Sequence, residues 1–272
     1  MERLIGLPVL LVLIVAAAVT IGLTYLAHRL VLRRFDTVQF SRHNDVAGFM
    51  ITVAGTLYAV MLGFVTVAVW QQYDATRERA SVETSAVANI WHAAAAFPPP
   101  VRDAVQADMR TYTELMIRDE YPLMQTGRLS EGAMRGRAID VAFMHAMRRV
   151  TALQPAAPNA INAQRVSLDL LNALHDARNR RLASNDEALS WFHWLVLVLG
   201  GAVVIGLALL FGIENHQAHF AMTAAAAFMI VLMFVLLFEL QYPFRSDLRI
   251  RPDGWVALTE HIKYMDSMNM EY

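Results

Sequence analysis

There is no cysteine in this sequence. That excludes disulfides and thiol chemistry, and it leaves the compartment open, since either side of a membrane tolerates the absence. Charge is scarce too: 17% of the 272 residues are Asp, Glu, Lys or Arg against 56% hydrophobic, and the mean hydropathy is +0.37. A soluble globular domain carries about 25% charged residues, so the balance points to a membrane. The net charge of −1 supplies no field for a polyanion, and no nucleic-acid partner is expected. No nucleophile–base pair, phosphate loop or carboxylate pair stands out, so neither an enzyme nor a cofactor is expected.

What is present is long apolar runs. Windows 4–27, 46–70, 192–213 and 220–240 are each long enough for a bilayer core, which takes about 20 helical residues. Hydrocarbon offers no partner to a free backbone N–H or C=O, so such segments must be helical. The first window continues past the length of a signal-peptide core and is kept as a span. Residues 27–45 join the first two windows and "ENHQAH" lies between the last two, so the spans pair as two hairpins with both connections on one side. The expected fold is all-α: an integral membrane protein with four transmembrane helices in two hairpins and a helical insert between the second and third. We divide it as 1–70, first hairpin; 71–190, extramembrane helical domain; 191–241, second hairpin; and 242–272, C-terminal tail.

The insert reads as helix throughout. Residues 71–97 hold no proline or glycine, so the second membrane helix is expected to continue beyond the bilayer until Pro98-Pro99-Pro100 stops it. Val101, Val105, Met109, Tyr112 and Met116 recur at helical spacing and predict one buried face. Ser130 is placed to cap a helix carrying Ile139, Phe143 and Met147. Asn159 is placed to cap another, with Val166, Leu170, Leu174 and Ala177 as its stripe. The arginines and carboxylates of this block are equal in number and read as solvated helix faces.

Within the spans, what is missing matters again. The first two windows contain no Asp, Glu, Lys or Arg, while His193 and Glu239 stand at span ends. Pumps and proton-coupled transporters keep an ionisable relay or broken helices near the midplane, so active transport is not expected. On the second helix Thr52, Gly55, Ala59, Gly63 and Thr66 share a small-residue face suited to close helix packing. A second stripe, Val53, Thr56, Val60, Phe64 and Val67, is apolar apart from Thr56. In a symmetric oligomer it could line a pore that gates by dewetting. Glu239 either pairs with an arginine of the insert or sits at a pore mouth. His216 and His219 stand three apart but lack an assured third ligand, so no metal site is expected. The polar run Arg42-His43-Asn44-Asp45 abuts the second window: Asn44 or Asp45 is placed to cap the helix and oppose its dipole, and Arg42 or His43 could stand at a pore mouth.

"HNDVAGF", "LYAVMLGF", "VWQQYD", "FGIEN" and "YPFRSD", in that order over nearly the whole chain, resemble the bestrophin-like domain family of membrane proteins, a domain of unknown function. Through its name the family is more distantly similar to bestrophins, pentameric anion channels whose second membrane helix lines the pore and continues into a helical cytosolic domain. "MLGFVTVAVWQQY" resembles the bestrophin Leu-Gly-Phe pattern followed by Trp and Tyr, with a spacing about one turn shorter here. Aligned on Leu-Gly-Phe, the bestrophin neck falls on Thr56, Val60 and Phe64. The tail "YPFRSDLRIRPDGW" has no counterpart of the acidic calcium clasp, so calcium gating is not implied.

Arg29, Arg33, Arg34 and Arg42 on the first connection argue that it is cytoplasmic. Arg3, Arg77, Arg79, Arg178, Arg180, Arg181, Arg245, Arg249 and Arg251 argue for the opposite side, and with the resemblance added the insert and both termini are placed in the cytoplasm of an inner-membrane protein. The function expected is a channel-like homo-oligomer, pentameric by resemblance, passing inorganic ions, anions by resemblance, along the second helix, with lipid and further copies of itself as partners. The alternative is a non-conducting membrane scaffold or sensor whose insert binds a partner or ligand.

Overall fold

A computed structural model describes residues 9–34, 44–126, 133–185, 188–212 and 215–269 of the chain. Its helices are α1 (Val9–Arg34), α2 (Asn44–Ala93), α3 (Pro99–Leu115), α4 (Tyr121–Thr126), α5 (Ala133–Ala152), α6 (Pro158–Ser184), α7 (Trp191–Leu209), α8 (His216–Leu240) and α9 (Asp253–Asn269). A 3-10 turn, Ala94–Ala96, follows α2, and a π turn, Met116–Glu120, links α3 to α4. The described residues contain no strand. Helices α1, α2, α7 and α8 are long and apolar enough to cross a membrane.

The chain forms two compact units, each built from two stretches. One comprises residues 1–73 and 188–241 and the other residues 74–187 and 242–272; we call them the span unit and the bundle unit. The C-terminal stretch thus belongs with the insert.

In the span unit, α1 lies along α8. Their buried positions recur every four residues: Thr20, Thr24 and His28 on α1, and His219, Thr223 and Ala227 on α8. The seam holds small and hydroxylated side chains, Thr20, Thr24, Thr223 and Ala227, with His28 and His219 at one end, and small residues let backbones approach when lipid removes the hydrophobic drive. Thr20 and Thr223 donate their hydroxyls to Ala16 O and His219 O, at 2.6 and 2.9 Å, so neither brings an unsatisfied group into the seam. Tyr25 meets Phe220 edge-on, ring centroids 6.0 Å apart. Asn215 caps α8 by accepting from the backbone N–H groups of Gln217 and Ala218.

The bundle unit has an apolar core among its helices. Val105, Met109, Tyr112 and Met116 are buried as their spacing predicts, as are Ile139 and Phe143. The helical winding of α2 runs on through the 3-10 turn to Ala96 and breaks at extended Phe97, just before the triple proline, as expected; Pro99 then opens α3, where a missing N–H costs nothing. Two local expectations change. Asn159 does not cap α6, because the helix begins one residue earlier with Pro158 and its N-cap, Ala157, makes no side-chain cap bond. Of the expected α6 stripe, Leu174 and Ala177 are buried, Leu170 is half-buried and Val166 is exposed; the other buried positions are Ala160, Ser167, Leu171, Arg178, Arg181 and Ser184. The expected cap Ser130 lies outside the described residues.

Candidate pore face and the buried ion network

In the span unit, α2 has one packed face. Tyr58, Leu62 and Val69 are buried with Leu197, Leu237 and Leu240, and Met61, Val65 and Ile230 pack around them. The fit depends on Gly200-Gly201 of α7. A Cβ on Gly200 would meet the Tyr58 ring at 2.6 Å and one on Gly201 the Tyr58 hydroxyl oxygen at 3.1 Å. Close approach lets that hydroxyl donate to Leu197 O at 3.1 Å, which satisfies the phenol inside an apolar interface.

Half a turn round the helix stands the stripe of Val53, Thr56, Val60, Phe64 and Val67, all exposed, with Phe64 73% and Val60 53% accessible. On the flank between, Gly55 and Gly63 have no atoms of the described residues within 4 Å of a Cβ. Thr52 and Thr66 donate to Gly48 O and Leu62 O, and Ala59 is exposed. Among the described residues, nothing covers the apolar stripe of α2, and its small-residue face is left largely open.

The polar run ahead of α2 divides. Arg42 and His43 lie outside the described residues. Asn44 opens the helix and its carboxamide pairs twice with Gly212: Nδ2 donates to O at 2.8 Å, and the Gly212 N–H donates to Oδ1 at 3.0 Å. The start of α2 and the end of the α7 segment are thereby joined. Asp45, exposed in the first turn, puts a negative charge at the positive end of the helix. Glu239 is buried in the last turn of α8.

His219 and His216 are joined by His28 of α1, with ring centroids 5.0 and 6.4 Å away. The His219 Nε2 lies 3.0 Å from Ala208 O. Among the described residues, no group of three or more His, Asp or Glu could hold a metal ion.

In the bundle unit, the expectation of solvated charges fails at its centre. Arg181 is wholly buried. Its Nε donates to Glu83 Oε2 at 2.7 Å, its Nη2 donates to Glu83 Oε1 at 3.2 Å and also to Glu120 Oε1, and its Nη1 donates to Met124 Sδ. Arg178 donates from Nε and Nη2 to Glu120 Oε2, at 3.1 and 2.6 Å, and from Nη1 to Asp140. The Tyr112 hydroxyl donates to Glu83 Oε1 at 2.9 Å. One network thus ties together α2, α3, the π turn, α5 and α6. The π turn gives Glu120 its place, since an extra residue in the winding shifts the side chains that follow.

Burial pushes the Glu120 carboxyl up, but the two guanidinium groups outweigh it and hold it below the usual range. Burial and the Glu83 charge push the Tyr112 phenol well above its ordinary value, so it remains a donor. Sequence reasoning missed this site because charged residues were assigned outward. The available signal was the spacing of Arg178 and Arg181, three apart on the face that also holds Leu171 and Leu174.

The family model of the bestrophin-like domain matches residues 9–255. This chain belongs to the bestrophin-like domain family. Among solved structures it is similar to two mutant forms of a bacterial bestrophin homologue from Klebsiella pneumoniae. The first has a TM-score of 0.67 at 12% identity, covering 92% of this chain and 98% of that one. The second has a TM-score of 0.65 at 12% identity, covering 95% and 97%. A third, described as a membrane protein, has a TM-score of 0.65 at 11% identity and covers 93% and 98%. Among curated proteins, none matches this chain. At such identities the likeness is one of fold. The bestrophin-like fold therefore extends over both units.

Proposed function

We propose that this bestrophin-like protein is the subunit of a homo-oligomeric membrane channel that passes ions passively along α2, with Thr56, Val60 and Phe64 at the narrow part. The observation that carries the proposal is the uncovered stripe of α2, apolar apart from Thr56 and opposite the face that packs on α7 and α8. One helix cannot enclose a path for water, so a conduit along this stripe needs several copies around an axis. The small-residue face of Gly55, Ala59 and Gly63 is suited to the contact between them. A ring of Val60 and Phe64 would hold a water column only intermittently, which makes it a dewetting gate. Anion selectivity and five-fold assembly come from the resemblance to bestrophins. In keeping with that resemblance, we take the protein to lie in an inner membrane with the insert and both termini in the cytoplasm. Glu239, Arg42 and His43 are candidates for the mouth or for contacts between copies.

The test is purified protein in planar bilayers, with native mass spectrometry reporting the copy number. We expect an oligomer with measurable conductance, and a larger open fraction for Phe64→Ala. A strict monomer, or an oligomer silent across ions and pH while a bestrophin control conducts, would overturn the proposal and favour a scaffold or sensor.

A further inference from the structure

In the bundle unit, away from the proposed pore stripe, two histidines from distant parts of the chain meet at the surface. His92 stands in the last turn of α2 and His261 in the middle of α9. Their Nε2 atoms are 3.3 Å apart, and the ring centroids 5.4 Å apart at 61°. Both rings are exposed, so solvent or small anions reach the space between them.

The contact is a hydrogen bond when the two imidazoles hold opposite tautomers. The same separation also suits two imidazole nitrogens bound at about 2.0–2.1 Å to one tetrahedral zinc ion, which lie roughly 3.3 Å apart. The backbone beneath each ring is fixed: Ile90, Trp91 and Ala94 are buried beside His92, and Leu258 and Ile262 beside His261. Trp91 also meets the His92 ring edge-on, with centroids 5.2 Å apart. Little freedom is lost when a metal arrives, and water completes its coordination.

We propose that His92 and His261 form a two-histidine site for a borderline divalent transition ion, such as Zn2+ or Cu2+, that clips α2 to α9. Imidazole suits these metals, and Cu2+ binds more tightly than Zn2+ at a given nitrogen site. Neither residue belongs to the pore stripe or the ion network, so the site stands or falls apart from the channel proposal.

The test uses the full-length, tag-free protein in detergent, stripped with a chelator and titrated with Cu2+ while tryptophan fluorescence is followed. Trp91 lies beside the site, so we expect saturable quenching at one equivalent per chain, reversed by a chelator and shifted to higher Cu2+ by excess Zn2+, and a higher unfolding temperature with Zn2+. His92→Ala and His261→Ala should each weaken the effect at least about tenfold, as ligand-shell losses do. His145→Ala, an exposed histidine elsewhere in the unit, should leave it unchanged. If either alanine variant loses its helical circular dichroism, His92→Gln and His261→Gln take its place. Equal Cu2+ affinity in wild type and both His92 and His261 variants, or no saturation below about millimolar metal, overturns the site.

Discussion

The side chains that matter most to the bundle unit are the least apolar. Arg181 is enclosed by Glu83, Glu120 and Met124, and a buried ion network is worth more intact than its parts suggest, because losing one member leaves another charge unpaired. Arg181→Met should destabilise the protein by about 3–5 kcal/mol, lowering the unfolding temperature by roughly 10 °C. Circular dichroism in detergent measures this, and a change near zero would mean that water reaches the network. The acid response has a definite sign. Glu120 is held below its ordinary 4.5 in the folded state, so its contribution is complete above about pH 4.5 and is lost as pH falls through the lower folded value. Glu120→Gln should therefore be less stable than wild type at pH 7, and the gap should narrow below pH 4.5. A gap constant from pH 7 to 3 would remove Glu120 from the network. Apart from the spacing of Arg178 and Arg181 on an apolar face, little of this was legible in the sequence, because a residue's charge gives a strong expectation of exposure and only three-dimensional partners reverse it. The reversal also bears on orientation: Arg178 and Arg181 count among the arginines near membrane ends, yet both are buried against carboxylates.

At the scale of elements, composition carried the spans. Long apolar runs define helices by the cost of an unsatisfied backbone in lipid, and the continuation of α2 past the apolar window followed from the absence of proline and glycine. Which face of a span packs inside the chain was less legible. The small-residue face of α2 suggests close packing, but the contacts within the chain use Tyr58 against Gly200-Gly201 on one side of the unit and the Thr20, Thr24 and Thr223 seam on another. A pattern of small residues marks a possible close approach without naming the partner helix. The two sets of glycines should respond differently to the same change. Gly200→Val drives atoms into the Tyr58 ring and should cost about 1–3 kcal/mol, partly recovered when Tyr58→Ala makes room. Gly55→Leu and Gly63→Leu meet open space and should leave the melting of isolated chains within about 0.5 kcal/mol of wild type, while loosening the oligomer by at least about tenfold if that face joins copies. Thermal melts and native mass spectrometry separate the two effects, and unchanged assembly in both leucine variants would move the subunit contact off this face.

For the whole molecule, the family was readable from short motifs spread through the chain, and the family match over residues 9–255 gives the same answer. The partition of the chain was not readable, because residues 242–272 join the insert across a gap of about fifty positions, and no local pattern announces contacts at such separation. The remaining question at this scale is orientation, and the absence of cysteine makes it testable without background. The first connection carries Arg29, Arg33 and Arg34, which by charge alone belong inside. The bundle unit carries Arg178 and Arg181 as neutralised pairs, so its own claim to the inside is weaker than its arginine count suggests. Under the proposed channel orientation the two sides are nonetheless fixed: Asn89→Cys, exposed on the aqueous part of α2, should react with a membrane-impermeant maleimide only after the cells are opened, and Arg29→Cys should react in intact cells. The reversed pattern would put the insert outside and restore the simple charge rule. It would also favour a sensor over a bestrophin-like channel, because an external helical bundle is placed to meet ligands rather than to extend a pore into the cytoplasm.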